Sequence, residues 1–169
     1  MTSKMFKAAL AASVVAVASF GATSAHAADA TATAKATILA AVTIASDGSD
    51  LNFGTIAPGS TAANLTVSNA GVRGTCPTTY VCTGTTSAAG FNLTGANATV
   101  VKITLPASIE LKTATDAMTA TLTSDVTGGL LTLSATGAGT MKVGGTLQIG
   151  AGQTAGNYVG TFTVSAVYN

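Results

Sequence analysis

The sequence has no tryptophan, a single histidine and two cysteines, and only 8% of its 169 residues are charged. The one histidine, His26, lies in an N-terminal segment that we expect to be removed. The mature chain would then have no histidine for a Ser-His-Asp or Cys-His catalytic site, nor for the common histidine-ligated metal centres. We therefore predict that the protein is not an enzyme and uses no cofactor or metal.

Charged residues of either sign are also scarce. Without the N-terminal Lys4 and Lys7, five basic and six acidic residues remain, and no run of either sign occurs. Nucleic-acid binding needs a basic patch, so this class of partner is excluded. Threonine, alanine, glycine and serine dominate instead, which is typical of an extracellular β-protein rather than of a cytosolic enzyme.

Long hydrophobic runs are absent, and the apolar stretch that ends at Phe20 spans about 13 residues, too few to cross a bilayer comfortably. Lys4 and Lys7 precede it and Ala25-His26-Ala27 follows. This order predicts a secretory signal peptide over residues 1–27, cut between Ala27 and Ala28. We expect export through the inner membrane, a periplasmic transit, a location at the cell surface or outside the cell, and no membrane span in the mature chain.

The two cysteines, Cys76 and Cys82, are separated by five residues in "TCPTTYVCTG". This spacing fits a short structural disulfide, which export permits, and not the C-x-x-C pattern of redox or zinc sites. A metal-binding pair is the alternative reading.

The mature chain consists of short runs rich in Thr, Val, Ile, Leu and Phe, separated by Gly, Asn, Asp and Pro. This pattern predicts an all-β fold, an antiparallel immunoglobulin-like β-sandwich formed as one domain by residues 38–169. The expected strands include "NLTVS", "FNLTG", "ATVVKITLP", "IELK", "MTATLTS", "LLTLSA", "GTLQIG" and "NYVGTFTVSAVYN". "SDGSD", "APGS", "TGG", "TGAG" and "GAGQTAGN" are predicted turns.

A long alternating segment, Ala30 to Ile44, precedes these strands. Fully extended it would reach roughly 50 Å, too long for one strand of such a domain. Residues 28–37 are therefore predicted either to project as an N-terminal extension or to follow a bend between two sheets. One face of the segment carries Ala30, Ala32, Ala34, Ala36 and Ile38.

The few aromatic residues divide into two groups. Phe53, Phe91, Tyr158, Phe162 and Tyr168 occupy apolar phases of strands, so they are predicted core residues. Tyr80 lies inside the disulfide loop and is predicted to be exposed as a candidate contact residue.

The "LNFGTIAPG" block, the long N-terminal segment and the "AGNYVGTFTVSAVYN" ending resemble a family of secreted bacterial proteins described as domain of unknown function 4402. That family is in turn similar to spore-coat-U-type pilins, the subunits of archaic chaperone–usher pili. Those pilins carry a Gly fourteen residues from the end and a penultimate aromatic, which correspond to Gly156 and Tyr168. Tyr158, Phe162, Val164, Ala166 and Tyr168 share one face of the last predicted strand.

The resemblance implies a structural subunit of a surface fibre that assembles by donor-strand complementation. The donor would be Ala30, Ala32, Ala34, Ala36 and Ile38, and the groove or chaperone-binding strand would carry Gly156, Tyr158, Phe162, Val164 and Tyr168. The implied partners are copies of the chain, a periplasmic chaperone and an outer-membrane usher. The alternative is a self-complete monomeric β-sandwich that serves as a surface or glycan-binding module.

Overall fold

The computed structural model describes residues 27–169, so the predicted signal peptide lies outside the described residues except for its last residue. Residues 37–169 form one compact unit, and residues 27–36 belong to a separate N-terminal unit. The strands are β1 Thr43–Ser46, β2 Thr55–Ala57, β3 Ala63–Val67, β4 Val81–Thr83, β5 Ala89–Thr94, β6 Val100–Thr104, β7 Ser108–Lys112, β8 Ala117–Ser124, β9 Leu130–Thr132, β10 Ala138–Ile149 and β11 Ser165–Tyr168.

These strands form an antiparallel β-sandwich, which confirms the predicted fold class. The larger sheet has the order β1-β5-β10-β8-β7, and β3 also pairs with β10. The smaller sheet has the order β11-β6-β9, and β2 and β4 form a separate two-stranded sheet. A single 3-10 turn, Thr127–Gly129, interrupts the strands of the described residues.

The twelve-residue strand β10 is the centre of the larger sheet. One of its edges pairs first with β5 and then with β3, while β8 pairs with the opposite edge. Gly144 lies where β5 gives way to β3, and the chain at Val67–Asn69 passes directly over it.

Two clusters of buried side chains fill the unit. The upper cluster joins the two main sheets through Leu93, Met141 and Val143 on one side and Val101, Ile103 and Val164 on the other. The lower cluster lies under the β2–β4 region and contains Phe53, Leu65, Val67, Tyr80, Ala120, Leu147 and Ile149.

The structure differs from the predicted strand pattern at three places. Among residues 27–169 no strand begins before Thr43, so the alternating segment from Ala30 to Ile44 is a regular strand only from Thr43 onwards. β10 begins at Ala138, inside the predicted turn "TGAG", because its first half pairs with β5. The last regular strand is limited to Ser165–Tyr168, since the preceding chain makes one bridge to the larger sheet, at Val159, and then leaves it.

Cys76 and Cys82 form the predicted disulfide, and no free cysteine occurs in residues 27–169. The closed loop contains a turn in which the Tyr80 amide donates to the Pro77 carbonyl at 2.9 Å. Cys82 itself belongs to β4 and lies opposite Ile56 of β2. The disulfide therefore ties the loop to the strand that covers the lower cluster.

We expect replacement of both cysteines by serine to lower the free energy of unfolding by about 2 kcal/mol, because the closed loop is short and chain entropy sets the effect. Urea denaturation of the double variant and of the oxidised parent measures the difference. An unchanged midpoint would contradict a stabilising role for this disulfide.

Candidate functional site

The C-terminal strand β11 pairs with β6 along one edge only. The Asn169 amide donates to the Val100 carbonyl, so Val167 and Ser165 continue that ladder. Main-chain groups alternate between the two edges of an antiparallel strand. Those of Ala166 and Tyr168 therefore point to the other edge, where no backbone partner occurs among residues 27–169.

β1 also has an open edge. The Asp47 amide donates to the Gly90 carbonyl, which places Thr43 and Ala45 in the ladder to β5. By the same alternation, the main-chain groups of Ile44 and Ser46 face outward and find no backbone partner within the described chain. β1 and β11 lie close together although they belong to different sheets. Two open sheet edges therefore flank the same side of the sandwich.

The hydroxyl of Tyr168 closes one end of this region. It donates to the Ala40 carbonyl oxygen at 2.5 Å and accepts from the Ala96 amide at 2.6 Å. Its ring packs against the upper cluster. One side chain thus joins the C-terminal strand, the chain that leads into β1 and the turn between β5 and β6.

A cleft of about 480 Å³ lies between two chain segments. One segment follows β1 and the other precedes β11. One wall is residues 51–58, which follow β1, and the other is residues 153–158, which lead towards β11. The remaining lining side chains are apolar and come from β7, β8 and β10: Leu111, Met118, Leu147 and Ile149. No lining residue is charged, so the cleft suits an uncharged, mainly apolar occupant.

Hydrogen bonds hold the wall at residues 153–158. The Gln153 amide donates to the Tyr158 hydroxyl at 2.9 Å, and that hydroxyl donates to the Thr154 carbonyl at 2.8 Å. The Thr154 side chain donates to Asp116 and, together with the Ala117 amide, lowers the pKa of that carboxyl. The wall is therefore anchored to the turn between β7 and β8.

An ion pair holds the chain directly after β1, a few residues before the other wall begins. The Lys142 ammonium on β10 lies 2.7 Å from Asp47 Oδ2, and the Ser49 amide donates to Oδ1 at 2.8 Å. The hydrogen bond from Lys142 is the main reason that the pKa of Asp47 falls from 3.8 to about 2. This carboxylate packs against Gly90, where a Cβ atom would overlap it.

We expect Asp47 to titrate with a midpoint near pH 2, which carboxyl NMR shifts can measure directly. A carboxyl whose pKa is lowered by folding stabilises the protein above its unfolded pKa, and that stabilisation disappears as pH falls through the folded pKa. Asp47→Asn should therefore be less stable than the parent at neutral pH, and the two should converge between pH 4 and pH 2. A gap at pH 2 as large as the gap at neutral pH would contradict this assignment.

The structure brings together some of the predicted site residues. Gly156 and Tyr158 line the cleft together with the "LNFGTIAPG" block, about a hundred positions earlier in the chain. Phe162 and Val164 pack in the upper cluster, and the Phe162 ring meets Phe91 edge-on at 6.0 Å between centroids. The predicted donor residues Ala30, Ala32, Ala34, Ala36 and Ile38 lie in no strand, are exposed, and include an isoleucine that is 94% exposed.

The prediction that Tyr80 is exposed is wrong. Its ring is 7% exposed in the lower cluster, and its hydroxyl donates to the Thr61 carbonyl at 2.6 Å. The disulfide loop turns this residue inward because β4 pairs with β2 over the lower cluster. Tyr80 is therefore a core residue and not a contact residue.

Sequence reasoning missed the open edge of β1 and the apolar floor of the cleft. The alternation around Ile44 shows which side chains face the core, but it does not show which edge of the strand is paired. In the sequence, Leu147 and Ile149 have the pattern of ordinary core residues. They line a cleft only because residues 51–58 and 153–158 leave a gap over them.

Within the described part of the chain, no group of three or more His, Cys, Asp or Glu side chains is placed to hold a metal ion. Among the same residues, no helix has the length and apolar character required to cross a membrane.

Comparison with known proteins gives one match. A family model described as "Domain of unknown function (DUF4402)" matches residues 42–168, from the residue before β1 to the end of β11. No curated protein and no solved structure matches the chain.

Proposed function

The chain belongs to the family described as Domain of unknown function (DUF4402), and we propose that it is a secreted structural subunit of a bacterial surface fibre. Each copy donates residues 30–38 to the next copy, where they add a strand along the open edge of β1 or β11. Joining of this kind is heterologous and does not close, so it produces a fibre and not a defined oligomer.

The observation that carries this proposal is that the chain has both a strand-like segment that lies in no sheet and sheet edges that have no partner strand. Residues 30–38 have the alternation of a strand but lie in no sheet. Within the described chain, no strand pairs with the outward main-chain groups of Ile44, Ser46, Ala166 and Tyr168. Natural proteins rarely leave such edges unprotected, because an open edge invites pairing with another chain.

The length of the donor segment, compared with that of β1 or β11, indicates that the donor also occupies the cleft. Nine donor residues extend over roughly 30 Å, whereas the four residues of β1 or β11 cover roughly 13 Å. A donor strand that starts along these edges therefore continues into the cleft between residues 51–58 and 153–158. No residue that lines the cleft is charged and its floor is apolar, which suits the donor face with Ile38.

Export gives this subunit two further proposed partners. A periplasmic chaperone would cover the open edges before assembly, and an outer-membrane usher would order the addition of subunits. Both act on the same edges, since an unpaired edge is a hazard until the next copy fills it.

Assembly of the purified mature chain tests the proposal. We expect concentrated protein to form filaments that appear as ladders in unboiled SDS gels, and we expect deletion of residues 28–37 to abolish them. The deletion variant should remain folded because the removed residues are exposed and form no strand.

A donor added in a second position provides the control. Residues 28–38 fused behind Asn169 through a flexible Gly/Ser linker should bind the chain's own edges and give a soluble monomer when the N-terminal copy is deleted. If the deletion variant alone assembles as well as the parent, donor-strand complementation is wrong.

A further inference from the structure

The chain from Ile38 to Thr43 decides whether residues 30–38 can reach the open edges of their own molecule. To do so they would have to fold back along β1 as a hairpin, with the turn inside Leu39–Val42. We infer that the chain is built against this intramolecular filling, so that the added strand comes from a second copy. The inference rests on the proposed function and names its partner.

The first obstacle is the phase of the side chains. Val42, directly before β1, and Ile44 on β1 face the core. Thr43 and Ala45 are exposed. Residues directly opposite each other in a hairpin point to the same side of the sheet. A two- or four-residue turn would place Thr37 opposite Ile44, so the threonines and Lys35 would face the core and Ile38 would face solvent.

The second obstacle is the chemistry of the turn that would restore the phase. A three-residue turn of Leu39, Ala40 and Ala41 places Ala36 opposite Ile44, which is the favourable face. Three-residue hairpin turns usually end with a left-handed residue, for which glycine is the default. The segment between Ala30 and Ile44 has no glycine, asparagine or proline. In the described chain, none of residues 37–42 has positive φ.

The third obstacle is the hydroxyl of Tyr168. Its bond to the Ala40 carbonyl fixes the middle residue of that turn at the end of β11, next to the Ala96 amide. A hairpin over Leu39–Ala41 would have to form with this carbonyl held at the end of β11, or else break the bond. Tyr168 therefore acts as a positioning residue that keeps the open edges available to another copy.

Supplying the missing turn tests the inference. Ala41→Gly puts glycine at the last position of the three-residue turn, where a left-handed residue is needed, and adds no signal for a two-residue turn. We expect this variant to fill its own edges: its monomer should protect residues 30–38 from amide hydrogen exchange, and its filament yield should fall at least tenfold. Ala41→Val is the matched control, since valine disfavours positive φ, and should assemble like the parent.

A second pair of variants removes hydroxyl groups without altering the turn. Tyr168→Phe should slow assembly several-fold and raise exchange at the Ala96 amide, whereas Tyr80→Phe, which loses a bond at the opposite end of the unit, should assemble like the parent. Thermal melts show that both variants are folded before assembly is compared.

The outcomes separate the inference from the proposed function. Protection of residues 30–38 in the parent monomer would overturn the inference, as would normal assembly of both Ala41→Gly and Tyr168→Phe. A parent that never assembles, with residues 30–38 unprotected, would contradict the fibre while supporting the block on intramolecular filling.

Discussion

Ile38→Ala should abolish most assembly without changing the stability of the monomer. The side chain is 94% exposed in the isolated chain, so its loss leaves no cavity there. In the proposed fibre it is the largest side chain on the donor face that carries Ala30, Ala32, Ala34 and Ala36, and it is buried by the next copy. Truncating a buried isoleucine to alanine costs about 2–5 kcal/mol, and each 1.4 kcal/mol is about tenfold in affinity. We therefore expect the protein concentration needed for half-assembly to rise by at least about 30-fold.

Leu39→Ala is the matched control for this prediction. Leu39 is also exposed, at 50%, but it directly follows the donor residues 30–38 and has the opposite side-chain phase to Ile38. Its truncation should change the concentration for half-assembly far less, and sedimentation of both variants measures the two values. Equal losses in the two variants would show that burial is not restricted to the face of Ile38.

The fold class could be predicted from the sequence because short alternating runs and turn residues are local signals. "NLTVS", "IELK" and "MTATLTS" each became a strand within one residue of the predicted bounds. β2 and β4 were not predicted, since three-residue strands carry no periodicity. Their pairing depends on the lower cluster and the disulfide, which join residues far apart in the chain.

The sequence predicted the strand-like segments of the candidate site but not its open sheet edges. The alternation at Ala30–Ile38 and at Tyr158–Tyr168 identified two strand-like segments, but alternation reports the face of a strand and not its edge. Whether an edge is paired depends on the sheet order, and here β1 ends one sheet while β11 ends the other. Tyr80 shows the converse error, since a loop position suggested exposure and the packing of β4 over the lower cluster decided against it.

Gly144→Ala should cause a large loss of stability, because two backbone segments meet at this position. A Cβ atom there would lie 2.7 Å from the Ser68 carbonyl carbon and 2.9 Å from the Asn69 amide nitrogen, and still nearer the Val67 carbonyl oxygen. All three are main-chain atoms, which cannot rotate away as a side chain can. Overpacking of this kind costs about 1–3 kcal/mol, and more when the backbone has to move.

Gly74→Ala provides the control, because the nearest atom to its Cβ position is the Thr66 carbonyl oxygen at an ordinary 3.4 Å. Urea unfolding should show a clear loss for Gly144→Ala and a difference close to zero for Gly74→Ala. Since Leu147 and Ile149 of the same strand line the cleft, Gly144→Ala should lower the folded fraction and, through the cleft floor, weaken donor binding as well. Similar midpoints for the two variants would mean that the crossing of residues 67–69 over β10 is looser than the structure indicates.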